Sequence, residues 1–200
     1  MVANGRSLPI YFLLWFSSTI DGAGGTDNLT IQSGTGALTL SGTIGVTTAL
    51  DTLNINTTTG GTAAITVLNI GDTGNAGAIT TSIGNANTSN ATLSGTYYRT
   101  DGNLVVTSKS GSLITFSAAS PLVTTSGDLV DFNAAVKINN NKLTIESNFG
   151  NASSNGGNVE FSGAINGASN EKLFINILSI FRLIEILYKP SQRKNSKEAF

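Results

Sequence analysis

The chain has no cysteine and no histidine among its 200 residues. Their absence removes disulfides, thiolate nucleophiles, zinc sites of the usual Cys/His kind and every histidine general base, so few enzyme classes stay open. It also suits a secreted protein, which crosses an envelope without thiols to mispair. Charge is scarce too. Asp, Glu, Lys and Arg together make up 12% of the residues, about half the usual share, so polarity comes mainly from Gly, Thr, Ser and Asn. Disorder needs low hydrophobicity with high net charge. This chain is 40% apolar with a formal net charge of -1, and it is expected to fold.

The near-neutral total conceals an asymmetry. From Asp21 to Glu171 four cations, Arg99, Lys109, Lys137 and Lys142, stand against ten carboxylates. Six of the eleven basic residues, Lys172, Arg182, Lys189, Arg193, Lys194 and Lys197, fall in the last 29 positions. An acidic body repels phosphate, so nucleic acid is not an expected partner.

At the N-terminus, Arg6 is followed by an apolar run from Leu8 to Phe16 and then by small and polar residues. Residues 1-21 resemble a secretory signal peptide, and an apolar cap is the other reading. The run is too short to span a bilayer.

From Asn28 onward the recurrent unit is an apolar-polar-apolar triplet bounded by Gly, Asn, Asp or Thr. Leu29-Thr30-Ile31, Leu38-Thr39-Leu40, Leu53-Asn54-Ile55, Leu68-Asn69-Ile70, Leu143-Thr144-Ile145, Val159-Glu160-Phe161 and Leu173-Phe174-Ile175 are instances. Period-two alternation is the strand signal, and the Gly-rich junctions between triplets permit sharp turns. Strands this short form no core alone, but coils stacked along an axis bury each other's inward side chains and pair each other's edges. The expected fold is therefore all-β, a right-handed parallel β-helix (solenoid) over residues 22-172 with coils of roughly 20 to 25 residues. A β-sandwich is the alternative. The order of triplets from Leu29 to Ile55 recurs from Leu143 to Ile175, which suggests a unit repeated at an offset of 114 residues.

Residues 173-200 read differently. From Leu173 to Tyr188 nearly every position is apolar, while Asn176, Ser179, Arg182 and Glu185 recur every third residue. This predicts an amphipathic helix over 173-188 ended by Lys189-Pro190, with a basic tail after it. Membrane contact is expected only through that helix.

No residue is assigned a catalytic, cofactor-binding or metal-binding role. Asp128 and Asp131 are the closest carboxylate pair in the body, but a spacing of three puts them on opposite faces of a regular strand. Gly24 to Leu29 resembles one calcium β-roll nonapeptide without tandem copies, and Gly71-Asp72-Thr73-Gly74-Asn75 lacks the ligands of an EF-hand loop. Thr runs at Thr47-Thr48 and Thr57-Thr58-Thr59 raise an ice-ordering surface, but the threonines wander in sequence. Asn-x-Ser/Thr sequons at Asn28, Asn56, Asn87, Asn90 and Asn151 matter only in a secretory host.

The Leu-Thr-Ile, Gly-x-Leu-Thr-Leu-Ser-Gly and Leu-x-x-Leu-Asn-Ile pattern from Leu29 to Ile55, echoed from Leu143 to Ile175, resembles the large β-strand-repeat surface proteins of bacteria. Filamentous-haemagglutinin-like adhesins and autotransporter passenger domains are among them. The resemblance covers about residues 22-176. It implies an exported, non-catalytic, structural or adhesive module at the extracellular or outer-membrane surface, with surface glycans, host or matrix proteins and adjoining repeats of the same chain as partners. No catalytic residues carry over from it. A carbohydrate-active lyase or hydrolase on the same scaffold, and a gene fragment with no function of its own, are the alternatives.

Overall fold

The structure is a computed structural model that describes residues 13-24, 26-139, 142-149, 156-167 and 170-177. Within them the chain forms strands and no helix. In order these are β1 Leu14–Phe16, β2 Asn28–Ile31, β3 Leu38–Ile44, β4 Leu50–Ile55, β5 Ile65–Ile70, β6 Ala78–Ile83, β7 Ala91–Leu93, β8 Tyr97–Arg99 and β9 Leu104–Thr107. They continue as β10 Leu113–Phe116, β11 Leu122–Thr124, β12 Val130–Asn133, β13 Ala135–Ile138, β14 Lys142–Glu146, β15 Val159–Phe161, β16 Ile165–Gly167 and β17 Lys172–Asn176.

Every one of these strands pairs in parallel with a strand roughly one coil away. A sandwich built from antiparallel hairpins and Greek keys cannot give that pattern. The fold is a parallel β-solenoid of about six coils, and each coil crosses three faces. The first face stacks β1, the start of β3, the start of β5, β7, β10, β13 and β16. The second takes the ends of β3 and β5, then β8, β11, β14 and β17. The third is the six-stranded sheet β2, β4, β6, β9, β12 and β15. Strands β3 and β5 run round the corner between the first two faces, and the register slips between Leu40 and Thr43 where they bend.

Alternation within each triplet decides what is buried. On the first face Leu38, Ile65, Ala91, Ile114 and Val136 form one inward column, and Leu40, Val67, Leu93, Phe116 and Ile138 form a second. All ten are buried. Burying each larger aliphatic side chain contributes about 1.5–3 kcal/mol, which single coils could not obtain alone. Towards the C-terminal coils the interior turns aromatic. Tyr98 meets Phe116 edge-on at 6.0 Å, Phe116 meets Phe132 at 5.6 Å, and Phe132 stacks on Phe161 at 5.3 Å.

The corners impose their own residues. Gly45 has φ +70, and a Cβ there would collide with the Gly77 backbone of the next coil. Only glycine meets both demands.

Three expectations are corrected. The step to a register partner ranges from 22 residues, Leu113 to Ala135, to 30, Thr144 to Phe174, so some coils fall within the expected 20 to 25 and others exceed it. Insertions at turns lengthen the path without disturbing the ladders. The 114-residue offset is not a structural period either, because Leu29 lies on the third face and Leu143 on the second. Each coil carries three similar triplets, so sequence alone matches triplets from different faces. Finally, the expected helix over 173-188 does not begin at Leu173. Leu173 and Ile175 continue the ladder from Leu143 and Ile145 as β17, and residues 178-200 lie outside the described residues.

The expected signal or cap over 1-21 divides likewise. Residues 1-12 lie outside the described residues, whereas Leu14 and Phe16 pack against the core from β1 and Ile20 bridges to Ile44.

Candidate functional site

Outward side chains form columns because each strand registers with its partner one coil away. On the first face Thr39, Thr66, Thr92 and Thr115 occupy successive positions of one column, continued by Lys137 and Asn166. The four threonines are 27, 26 and 23 residues apart, which is why they look scattered in the sequence. The Thr runs that drew attention there are elsewhere, in the bends at Thr47-Thr48 and the turn at Thr57-Thr58-Thr59.

The acidic residues are redistributed in the same way. Asp128 sits at a turn, exposed, with its carbonyl accepting from the Thr125 hydroxyl at 2.7 Å. Asp131 points outward from β12, and its register partner is Glu160 on β15. The structure thus separates Asp128 from Asp131 and sets Asp131 beside a carboxylate 29 residues away in sequence. The Asn133 amide donates to the Asp131 carboxylate at 2.6 Å. Their column also holds Thr30, Asn54, Ser82 and Val105, so no cation faces the pair from it.

The loops considered for calcium hold themselves together. Asp27 accepts from the Ala23 amide at 2.7 Å, and Asp72 accepts from the Gly74 and Asn75 amides at 2.7 and 2.8 Å. Those two amides are the main reason the Asp72 carboxyl is held below its usual range. Among the sequons, Asn56 is fully buried, Asn28, Asn87 and Asn90 are exposed, and Asn151 lies outside the described residues.

A concavity of about 210 Å³ opens on the outer side of the second face. Its floor comes from neighbouring rungs, Tyr97 and Arg99 on β8 with Leu122 and Thr124 on β11. One wall is the turn after β5, with Asp72 and Thr73. The other is Phe149, brought over the face where Asn148 bridges antiparallel to Ser126 and the Phe149 amide donates to the Thr125 carbonyl.

Arg99 is only 7% exposed. Its guanidinium carbon lies 3.5 Å from the Phe149 ring centre, and Nη1 reaches the Asp72 carbonyl at 3.4 Å. Burial lowers the Arg99 pKa, while Asp72, Asp101 and Glu146 oppose that shift. Thr124 beside it is also buried, and its hydroxyl has no partner among the described residues. Composition could not reveal this site. Asp72, Arg99, Thr124 and Phe149 belong to different coils, and the one available signal was a lone arginine in a body with four cations.

No protein-family model, no curated protein and no solved structure matches the chain.

Proposed function

We propose that the chain is a structural and adhesive module of an exported bacterial cell-surface protein, meeting glycans, matrix or neighbouring cells along a polar flank. The observation that carries this reading is the threonine column of the first face. Rungs about 4.8 Å apart set four hydroxyls in a line roughly 14 Å long, on a body whose length is set by the number of coils. Such a surface suits many weak contacts to an extended polymer, whose sum exceeds any one of them. The chemistry needed is hydrogen bonding by neutral groups, in keeping with the low charge of the chain. Surface placement follows from the same reading.

The test is retention of the purified chain on glycan and matrix-protein arrays, compared with the double variant Thr66→Glu/Thr92→Glu. Retention that falls at least about tenfold in the variant is expected. Retention unchanged by two charges in the column, or no retention by any glycan, matrix protein or cell surface, sinks the reading.

A second reading draws on Asp131 beside Glu160, a carboxylate pair on adjacent rungs of the kind glycan-cleaving enzymes use. In that case polysaccharides incubated with the chain release new ends, and Asp131→Asn abolishes the release.

A further inference from the structure

The concavity over Arg99 sets polar groups with hydrogen-bonding capacity to spare beside the apolar surfaces of Tyr97, Leu122 and Phe149. Arg99 is more than nine-tenths buried, yet a guanidinium carries five donors and among the described residues spends one, at 3.4 Å, on the Asp72 carbonyl. Thr124 is 1% exposed, and its hydroxyl is without a partner among the described residues. A buried polar atom left unpaired is destabilising by about as much as a lost hydrogen bond. The Thr124 hydroxyl is such an atom, and with the Arg99 guanidinium lining the same cavity it marks where a ligand's oxygens would be welcome. Tyr97 and Leu122 beside them offer a surface for C–H groups.

From this geometry we infer that the concavity is a binding subsite for one neutral sugar ring. Arg99 and Thr124 hydrogen-bond its hydroxyls, and Tyr97 and Leu122 pack against its apolar side. This rests on the adhesive reading above and assigns its glycan contact to named residues on a different face from the threonine column.

Size limits the ligand. At about 210 Å³ the hollow falls below the range of roughly 300–1,000 Å³ typical of sites for larger ligands. It takes one ring of a chain whose remainder stays outside. Charge limits the ligand too. The Asp72, Asp101 and Glu146 carboxylates favour the charged form of Arg99, so an anion entering the hollow would meet their repulsion as well as the guanidinium's attraction. Acidic sugars are disfavoured.

The experiment is a titration of the full chain, followed by NMR at the Leu122 and Thr124 methyls, with neutral methyl glycosides and with uronic acids. Thr124→Val is the decisive variant, because it keeps the side-chain shape and removes only the hydroxyl. Arg99→Lys keeps the charge and removes the forked donors. A neutral glycoside is expected to shift those methyl signals with weak, millimolar-range affinity. Thr124→Val should weaken binding at least about fivefold and Arg99→Lys at least about tenfold, with the melting temperature of Thr124→Val no lower than that of the parent.

Glycan binding that Thr124→Val leaves unchanged overturns the subsite while the adhesive reading stands. Uronic acids that bind this site more tightly than neutral sugars overturn it as well. If no sugar moves the Leu122 and Thr124 signals, the subsite is refuted, and array retention then decides separately whether the adhesive reading survives.

Discussion

Asn56 shows how much one corner residue carries. It is fully buried, its φ is +49, its side-chain carbonyl accepts from the Ser33 amide at 2.6 Å, and its amide donates to the Ser33 hydroxyl at 2.8 Å. Its own backbone carbonyl accepts from Asn85 at 2.6 Å, so three successive coils are tied at this edge. Asparagine tolerates the left-handed region better than most residues. Asn56→Ala combines that strain with a partly buried Ser33 amide left unpaired and should destabilise by about 2–3 kcal/mol. Asn56→Gly keeps the conformation and should recover about 1 kcal/mol of that loss, measured from urea unfolding midpoints. Equal losses in the two variants would show that backbone strain plays no part. In the sequence this residue is merely one of five sequon asparagines.

At the scale of the strand and its ladder, one inward position of the third face departs from the apolar rule. Leu53, Thr81 and Leu104 are successive partners, all buried, and the Thr81 hydroxyl has no partner among the described residues. Replacing it with the isosteric Val removes an unpaired polar atom without altering volume. Thr81→Val should therefore stabilise by about 1 kcal/mol and raise the melting temperature by roughly 2–4 °C. A calorimetric scan showing a decrease would mean that the hydroxyl is satisfied in solution. Strands and their inward alternation were legible because each triplet states its own polarity pattern. Register was not. Leu-Thr-Ile and Leu-Asn-Ile read alike wherever they occur, and only the turn lengths decide which face they join. The same ambiguity hid the threonine column and the pairing of Asp131 with Glu160, while the near-continuous apolar run after Leu173 let that triplet pass for the start of a helix. The Arg99 hollow was illegible for a further reason, since Phe149 reaches it through an antiparallel bridge that no local pattern announces.

For the molecule as a whole, the missing residue types fix how stability responds to pH. With no histidine or cysteine, side chains titrate mainly below about pH 5 or above about pH 9, so unfolding midpoints should be nearly flat from about pH 6 to 9. Each edge of that plateau has an identified contributor. Asp72 has its folded pKa lowered, so its contribution is present above the ordinary carboxylate value of 3.8 and is lost as pH falls through the folded value. Tyr98 is raised, chiefly by burial, against the opposing pull of the Gly95 amide. Its contribution is complete below the ordinary phenol value of 10.0 and is lost as pH climbs from there towards the folded value. Midpoints should therefore fall above pH 10, and less steeply in Tyr98→Phe. Parallel alkaline slopes in the two proteins would contradict the assignment. Coil-on-coil pairing also has a mechanical meaning. The hydrogen bonds between rungs point along the axis, so tension applied at the two chain ends meets them a few at a time rather than all together in shear. Pulled in an optical trap, the protein should yield at low force in a series of small steps. Each step would release one coil, 22 to 30 residues, or roughly 70–110 Å of extended chain. A single high-force rupture of the whole body would rule this out. A body built this way lengthens under load before it breaks, giving up its coils in turn rather than its whole structure at once.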